Sequence, residues 1–230
     1  MLPRRRRFRA SDVELLVATR SRHKMSEIMT MLGDIPGLRL VDLDSAGVEP
    51  DPAEEGLEPY DTFEANARSK AEYFHAKSGL PTVADDSGLE VDALGGAPGV
   101  RSKRFAPDRG LDGQELDDAN NQHLMERLEG VEPERRTGRY VCAAVLVGFP
   151  VGEGREPAEV VLRGEAEGLL LDQPRGTGGF GYDPYFFDPD LGQAFAEIHQ
   201  DVKNARSHRG KAFGALSEWL TQRLAAPTHP

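Results

Sequence analysis

Two adjacent acids, Asp85 and Asp86, end the apolar run at 81–86 (PTVADD) and are the first candidates for chemistry. Side chains alternate in direction along a strand, so only one of the two carboxylates is expected to face a pocket. Mg²⁺ prefers hard oxygen ligands, often one or two carboxylates with phosphate oxygens and water, and a neighbouring acid can take a proton from attacking water. The alternative interpretation is an Asp-Asp turn that caps its own backbone.

A second candidate is the turn at 19–24 (TRSRHK), which lies between a predicted strand and a predicted helix. Ser21 or Thr19 can cap the helix. The free backbone N–H groups of the first helical turn and the Lys24 ammonium then point toward the same position. Such a place suits an anion such as phosphate, although many strand-turn-helix junctions bind nothing.

The segment at 176–181 (GTGGFG) matches the pattern GxGxxG. A dinucleotide site requires a helix to begin there, and the following Tyr182, Asp183 and Pro184 oppose one. The glycines would still let a ligand approach the backbone, with Phe180 and Tyr182 as flat surfaces and Asp183 as an acceptor for ring N–H groups. A planar ring would fit, and a hydrophobic turn is equally compatible with the pattern.

The basic run at 203–211 (KNARSHRGK) is predicted to lie at the start of the last helix. It offers donors suited to the carbonyl oxygens of a base or to phosphate, and a solvated helix start is the alternative. Ala205 replaces the first glycine of GxxxxGK, so the run is not a Walker loop. The chain also has no GxSxG elbow, which argues against a Ser/His/Asp hydrolase.

The elements that must position these residues are predicted from periodicity. A short strand at 14–18 precedes a helix with Met25, Ile28, Met29 and Leu32 on one face and Gly33 as its end. A strand follows at 37–43. From Leu40 to Ala67 there are nine acids and no Lys or Arg, which indicates either a solvated loop or a metal-attracting rim.

A second helix is predicted to begin with a capping box at Asp61 and Glu64 and to end at Gly79, with Asn66 and Lys70 together on one face. The strand at 81–86 is then expected to give way to an ordered irregular loop over 87–100. The remaining predictions are a helix closed by Gly130, an antiparallel hairpin, and a last helix whose stripe holds Phe213, Leu216, Leu220 and Leu224 with Trp219 beside it. The sheet is therefore expected to be mixed.

Composition excludes several classes of function. The 230 residues carry a net charge of −11, which argues against generic binding to nucleic acid. The single cysteine, Cys142, lies in an apolar run and is predicted to be inert core. No stretch approaches the ~20 apolar residues of a membrane span, so a cytoplasmic protein without a membrane partner is expected. The arginines at 4–7 could form a nucleic-acid arm or a frayed terminus.

The order and wording of five strings resemble the inosine triphosphate pyrophosphatase family, the non-canonical purine NTP or dITP/XTP pyrophosphatases. The resemblance spans about residues 13 to 220. The strings are VATRSRHK, TFEANARSKA, GLPTVADDSGLEVDALGGAPGVRSKRFA, GTGGFGYDPYFF and KNARSHRGKA.

The resemblance implies an elongated, two-lobed α/β fold around a long mixed β-sheet with flanking helices, a nucleotide cleft between the lobes, and a homodimer. One catalytic domain would cover 12–225, between a basic N-terminal extension (1–11), expected to be disordered, and a tail (226–230). The implied activity is Mg²⁺-dependent hydrolysis of the nucleoside triphosphates ITP, dITP and XTP to the monophosphate and pyrophosphate. The alternatives are a non-catalytic nucleotide sensor and a pyrophosphatase for other modified nucleotides.

Site roles follow from the resemblance residue by residue. Asp86 would hold the metal and activate water, Lys70 and Lys24 would act at the phosphates, and Ser87 would contact the substrate. Phe180 would stack on the purine. The triphosphate loop would comprise Thr19, Arg20, Ser21, Arg22, His23 and Lys24; the base pocket would comprise Gly181, Tyr182, Asp183, Lys203, His208 and Arg209.

The chain departs from the family pattern at two places. Arg20 and Ser21 stand where the family commonly has Gly-Asn, which adds bulk and charge to the phosphate loop. The acidic segment before Thr62 is longer than the family's, so the second metal carboxylate could be Glu54, Glu55 or Glu58; its distance from Thr62 favours Glu58.

Overall fold

The computed structural model describes residues 12–151 and 156–225. Its centre is a seven-stranded mixed sheet in the order β2-β1-β3-β4-β5-β6-β7. β1 is parallel to β2 and β3, and the remaining neighbours are antiparallel, so the predicted mixed sheet and the β4–β5 hairpin are confirmed. The strands are β1 (Val13–Val17), β2 (Leu38–Val41), β3 (Thr82–Val91), β4 (Thr137–Phe149), β5 (Ala158–Leu170), β6 (Phe186–Asp188) and β7 (Gln193–Ala194).

Five α-helices flank this sheet in the described part of the chain: α1 (Arg22–Leu32), α2 (Phe63–Ser78), α3 (Gly113–Arg127), α4 (Gln200–Arg206) and α5 (His208–Ala225). Ser21 caps α1, one of the two residues predicted for that role. Gly79 ends α2 with a positive φ of 69°, a left-handed conformation that glycine adopts without strain. None of the described helices is long and apolar enough to cross a membrane.

The alternation of side chains along the strands divides the core between the two faces of the sheet. Leu15 and Val17 of β1 pack with α1 and α5, whereas Leu16 packs on the opposite face with α2. β3 continues the same division, since Val83 joins the first cluster and Ala84 the second. A third cluster lies where α3 covers the far ends of β3 and β4.

The predicted elements need four corrections, three to their boundaries and one to a buried face. Thr62, and not Asp61, caps α2, because its side chain accepts a hydrogen bond from the backbone N–H of Ala65. β3 does not end at the acids but continues to Val91, since every residue from Thr82 onward pairs with β4. The basic run is split between α4 and α5 at Ser207, so Lys203 lies in a helix of its own. Met29 is 42% exposed and does not belong to the apolar face of α1.

Other predicted packing is confirmed. Cys142 is fully buried in β4, and Phe213, Leu216 and Leu220 of α5 are buried as well. The predictions for 1–11 and 226–230 lie outside the described residues.

Candidate functional site

Asp86 lies in the middle of β3 on the α2 face and is 7% exposed. Its Oδ2 accepts a hydrogen bond from Asn66 Nδ2 at 3.0 Å, and its Oδ1 accepts one from the Ser87 backbone N–H at 3.0 Å. Burial raises the pKa of Asp86; the Lys70 ammonium opposes this shift and the Glu58 carboxylate reinforces it. A carboxylate with raised proton affinity is suited to accept a proton from water.

Lys70 and Glu58 complete this side of the site. Lys70 is one helical turn beyond Asn66 on α2, and its Nζ lies 2.5 Å from Glu58 Oε1 and also donates to the backbone carbonyl of Asp85. Burial lowers the pKa of Lys70, but Glu58 and the two aspartates outweigh it and leave the pKa raised. Burial likewise raises the pKa of Glu58, and Lys70 with other cations reverses that effect, so Glu58 is an anion.

Asp85 points to the opposite face of β3, as strand alternation requires. Its Oδ2 lies 3.1 Å from Lys24 Nζ and 3.3 Å from Arg209 Nε, and its side chain is 1% exposed. Burial raises the pKa of Asp85, but Lys24, Arg209 and Lys70 together hold that pKa well below the usual range. Asp85 is therefore a buried anion that fixes the Lys24 and Arg209 cations.

Arg209 connects α5 to the strand that carries both acids. Its Nη2 donates to Ser87 Oγ at 2.8 Å, and its Nη1 donates to Glu27 Oε2 of α1 at 2.6 Å. The guanidinium is 3% exposed, and the surrounding carboxylates outweigh burial and raise its pKa. Arg209 is thus a permanent charge held between α1, β3 and α5.

The turn at 19–24, the candidate triphosphate loop, has the predicted helix cap. Ser21 Oγ accepts from the Lys24 backbone N–H at 3.4 Å, and Thr19 Oγ1 accepts from the Ser21 N–H at 3.1 Å. Arg22 and His23 are exposed in the first turn of α1. The free N–H groups of this turn and the Lys24 ammonium provide the charge pattern that an anion needs.

Arg20 is directed away from this pattern. Its Nε and Nη2 donate to the two carboxylate oxygens of Glu54 at 3.1 and 2.8 Å, and Nη2 also donates to the Val48 carbonyl at 2.9 Å. A bidentate pair of this kind is specific and well oriented. Glu54 is therefore engaged by Arg20, whereas Glu58 faces Lys70, and Glu55 is exposed.

The glycine-rich loop is held in shape by Asp183. Its Oδ2 accepts from the Phe180 backbone N–H at 2.8 Å and from Lys203 Nζ at 2.5 Å, with both charged side chains 5% exposed. Gly179 has a φ of 72°, and a Cβ there would collide with the Asp183 carboxylate, so only glycine fits. The Lys203 ammonium also lies 5.4 Å from the centre of the Phe180 ring.

Tyr182 and Gly181 serve mainly to anchor this loop. Tyr182 is buried and donates from its hydroxyl to the Ser102 carbonyl at 2.7 Å. Two side chains of α3 hold the backbone of Gly181. The Gly181 N–H donates to Asp117 Oδ2, and the Gly181 carbonyl accepts from Asn121 Nδ2, each at 2.9 Å. The sequence analysis missed this contribution from α3, because the residues lie 60 or more positions apart.

His208 begins α5 and stacks on Tyr140, with 4.7 Å between ring centres. Burial, with the neighbouring Arg209 and Lys203, lowers the pKa of His208 well below its usual value, so the imidazole is neutral. Its Nδ1 is buried without a hydrogen-bond partner. An unpartnered buried polar atom is costly, which makes Nδ1 a candidate contact for a ligand.

The structure brings the sequence-predicted residues together in two connected halves. Arg209 links α5 to Ser87 and Asp85, beside Asp86, and His23 of the phosphate loop stacks on Phe180 of the glycine-rich loop. Sequence analysis did not identify the supporting residues Glu27, Asp117 and Asn121. It did place Asn66 and Lys70 on one face of α2, and that signal could have identified Asn66 as the partner of Asp86.

The donor set can be tested against a metal ion. No group of three or more His, Cys, Asp or Glu side chains suited to a metal is found within 12–151 and 156–225. Asp86 and Glu58 do interact electrostatically, and burial makes Asp86 costly to ionise without a nearby cation. Two carboxylates fit Mg²⁺, which usually takes its remaining ligands from phosphate oxygens and water.

This chain is similar to several known proteins. The sequence model of the Ham1 family matches residues 15–219. A dITP/XTP pyrophosphatase of Geobacter sulfurreducens is 42% identical over 206 residues, which cover 90% of this chain and 96% of the relative. Two solved structures are similar as well. A HAM1 protein from Coxiella burnetii has a TM-score of 0.77 at 33% identity, covering 91% of this chain and 99% of that one. A nucleoside-triphosphatase/dITP/XTP pyrophosphatase from Mycobacterium abscessus has a TM-score of 0.67 at 38% identity, covering 90% and 100%.

Proposed function

This chain belongs to the Ham1 family, and from that premise we propose that it is a Mg²⁺-dependent nucleoside triphosphate pyrophosphatase. Its substrates are the deaminated purine nucleotides ITP, dITP and XTP, which it hydrolyses to the monophosphate and pyrophosphate. The activity would remove such nucleotides before a polymerase can use them.

One observation carries the proposal: the carboxylate end and the base end of the site are physically connected. Arg209 of α5 contacts the side chains of Ser87 and Asp85, which flank Asp86 along β3. Lys24, which pairs with Asp85, also acts electrostatically on Asp86. The aromatic rings of His23 and Phe180 lie 5.3 Å apart between centres. These contacts support a single nucleotide that spans both groups.

The phosphate end supplies charge stabilisation and a base. The Lys24 and Lys70 ammonium groups and the free amides of α1 offset the charge that builds on the phosphates as water attacks. Asp86 accepts the proton of that water as the general base. Asp86 and Glu58 would hold Mg²⁺, whose chemistry is to polarise phosphate oxygens and neutralise their charge.

The base end explains discrimination against adenine. In this proposal Phe180 stacks on the purine, and the neutral His208 imidazole with the Lys203 and Arg209 cations supplies buried polar groups that read its ring. A 6-oxo purine satisfies such donors, whereas the 6-amino group of adenine leaves them facing another donor. Mismatches of this kind discriminate by as much as ~10⁴.

The proposal extends to the state of the protein in the cell. Residues 12–225 form one catalytic domain, two copies assemble as a homodimer, and the enzyme acts in the cytoplasm, where its substrates are made.

A substrate panel tests the proposal. The purified protein with Mg²⁺ is expected to release pyrophosphate from ITP, dITP or XTP at least about a hundredfold faster than from ATP. Asp86→Asn should abolish this release, while Asp34→Asn, an exposed aspartate beyond the end of α1, should leave it intact. Equal rates on all nucleotides would contradict the specificity, and ITP that binds but is recovered uncut would indicate a sensor.

A further inference from the structure

The His23 imidazole covers one face of Phe180. The two rings lie 5.3 Å apart between centres and are only 16° from parallel. Phe180 is the aromatic side chain to which the proposed function assigns stacking on the purine. We propose that His23 is a lid over the base-stacking surface, which the purine displaces when it enters; this inference rests on the proposed function.

The spacing of the rings leaves no room for a base between them. Atoms in van der Waals contact are about 3.5 Å apart, so a planar purine sandwiched between two rings needs them about 7 Å apart. The observed 5.3 Å separation corresponds to direct stacking of His23 on Phe180. The Lys203 ammonium, 5.4 Å from the ring centre, further restricts the space around Phe180. A base can therefore stack on the face of Phe180 that His23 covers only after His23 moves.

Of the two partners, His23 is the one free to move. It lies in the exposed first turn of α1, and no hydrogen bond or ion pair joins its ring to another described residue. Phe180 is fixed through its backbone N–H, which donates to Asp183, and through Gly181, which α3 holds at both polar groups. Rotation of the His23 side chain costs little beyond the stacking contact itself.

The position of the lid also gives it a role. In the nucleotide-free protein it shields an aromatic face that would otherwise be open to water. Because the purine must first break the His23–Phe180 contact, the free energy of base binding is reduced by that of one aromatic pair. The affinity is therefore about two- to tenfold weaker than it would be without the lid.

The contact can be tested first without any nucleotide. In the proton NMR spectrum of the whole protein, the His23 Cε1–H signal is identified by its absence in His23→Ala. The Phe180 ring current should shift that signal upfield, and Phe180→Leu should return it to the position of an exposed histidine. A His23 signal at that position in the wild-type protein would overturn the proposal.

Displacement is then tested with IMP, which carries the base but cannot be hydrolysed at a triphosphate. Saturating IMP should move the His23 signal to the exposed position. His23→Ala should bind IMP about two- to tenfold more tightly, while His23→Phe, which keeps a stacking ring, should not. The exposed Asp34→Asn, beyond the end of α1, is the control and should bind IMP as the wild-type protein does.

The outcomes separate the two proposals. Equal or weaker IMP binding by His23→Ala would overturn the lid, since His23 would then be inert or would support the base. Failure of the wild-type protein to bind IMP would contradict the proposed function and the displacement step together, whereas the ring-current shift in the free protein depends on neither.

Discussion

Asp85 and Asp86 are neighbours in the chain but have opposite electrostatic environments. Three cations hold the pKa of Asp85 low against its burial, whereas burial dominates at Asp86 and raises its pKa. Pairs of acids whose environments separate their pKa values are typical of sites that divide two tasks between them. Asp85 holds its cations permanently, and the proposed function assigns proton transfer to Asp86.

The structural task of Asp85 predicts a pH-dependent loss of stability. Asp85→Ala leaves Arg209 and Lys24 without their buried counter-ion, which should lower the free energy of unfolding by about 3–5 kcal/mol near neutral pH. Urea denaturation of the two proteins measures this difference.

The sign of the pH effect follows from the lowered pKa of Asp85. The folded state stabilises the ionised form, so the contribution is complete above the unfolded pKa of about 3.9 and is lost below it. The difference between wild type and Asp85→Ala should be constant from pH 8 to 5 and shrink below about pH 4, approaching about 1.4 kcal/mol per pH unit. A difference that grows on acidification would contradict this role.

The choice among the three glutamates predicts a second result. Glu58 faces Lys70 beside Asp86, whereas Glu54 is paired with Arg20. Glu58→Gln should raise the Mg²⁺ concentration required for half-maximal activity by at least about tenfold. The exposed Glu55→Gln is the matched control and should behave as wild type. If Glu54→Gln alone raised the Mg²⁺ requirement, the assignment to Glu58 would be wrong.

What the sequence predicts at this scale depends on whether the physics is local. Strand alternation correctly separated the directions of Asp85 and Asp86, and the Ser21 cap follows from residues three positions apart. The Arg209–Glu27 contact joins residues 182 positions apart, and no local rule relates them. The resemblance to a known family supplied the candidate site residues. It did not indicate that the Arg20 side chain would pair with Glu54.

At the scale of elements, the start of α5 is set by its close packing on β5. Gly164 of β5 faces the His208 carbonyl, and a Cβ at Gly164 would also lie 2.6 Å from the Ala212 backbone nitrogen. Glycine here permits a backbone approach that any other residue would prevent. The same packing positions His208 and Arg209, which the proposed function assigns to the base pocket.

Enlarging that glycine should therefore affect both stability and substrate binding. Gly164→Ala is expected to lower the free energy of unfolding by about 1–3 kcal/mol through overpacking, and to raise the KM for ITP severalfold by displacing the first turn of α5. Thermal unfolding and steady-state kinetics measure the two effects.

Gly214 provides the matched control within the same helix. A Cβ there would meet nothing within 4 Å, so Gly214→Ala should stabilise the protein by about 0.5–1 kcal/mol and leave the KM unchanged. An unaltered KM in Gly164→Ala would show that the β5–α5 packing does not position the pocket.

Element prediction was wrong where tertiary contacts override local signals. The glycines between positions 88 and 99 favour a loop after Asp86, yet pairing with β4 extends the strand to Val91. The break between α4 and α5 at Ser207 has a similar origin, because the α5 turn packs against the end of α4: a Cβ at Gly210 would collide with the Asn204 carbonyl. Helix periodicity alone does not show such a corner.

At the scale of the whole molecule, two long strands join the separate core clusters. β4 contributes Cys142, Ala144 and Leu146 to the cluster under α5, and Tyr140 to the cluster under α3. β5 pairs with β4 along most of its length. The two ends of the sheet therefore share backbone hydrogen bonds and cannot lose them independently.

This continuity predicts one cooperative unfolding transition for residues 12–225. Trp219 fluorescence reports on the cluster under α5, and amide hydrogen exchange in α3 reports on the opposite end. Both should give the same midpoint in urea within error, as expected for a two-state transition. Two separated midpoints would indicate independent units and contradict a single domain.

The ten consecutive pairs between β3 and β4 also determine which of the two acids faces α2. A shift of β3 by a single residue would turn its side chains to the opposite faces of the sheet. Asp85 would then face α2, and Asp86 would be buried beneath α5, although both positions would still read aspartate. A one-residue deletion in β3 that kept both aspartates would therefore exchange the environments of the proposed proton acceptor and of the acid that holds the two cations.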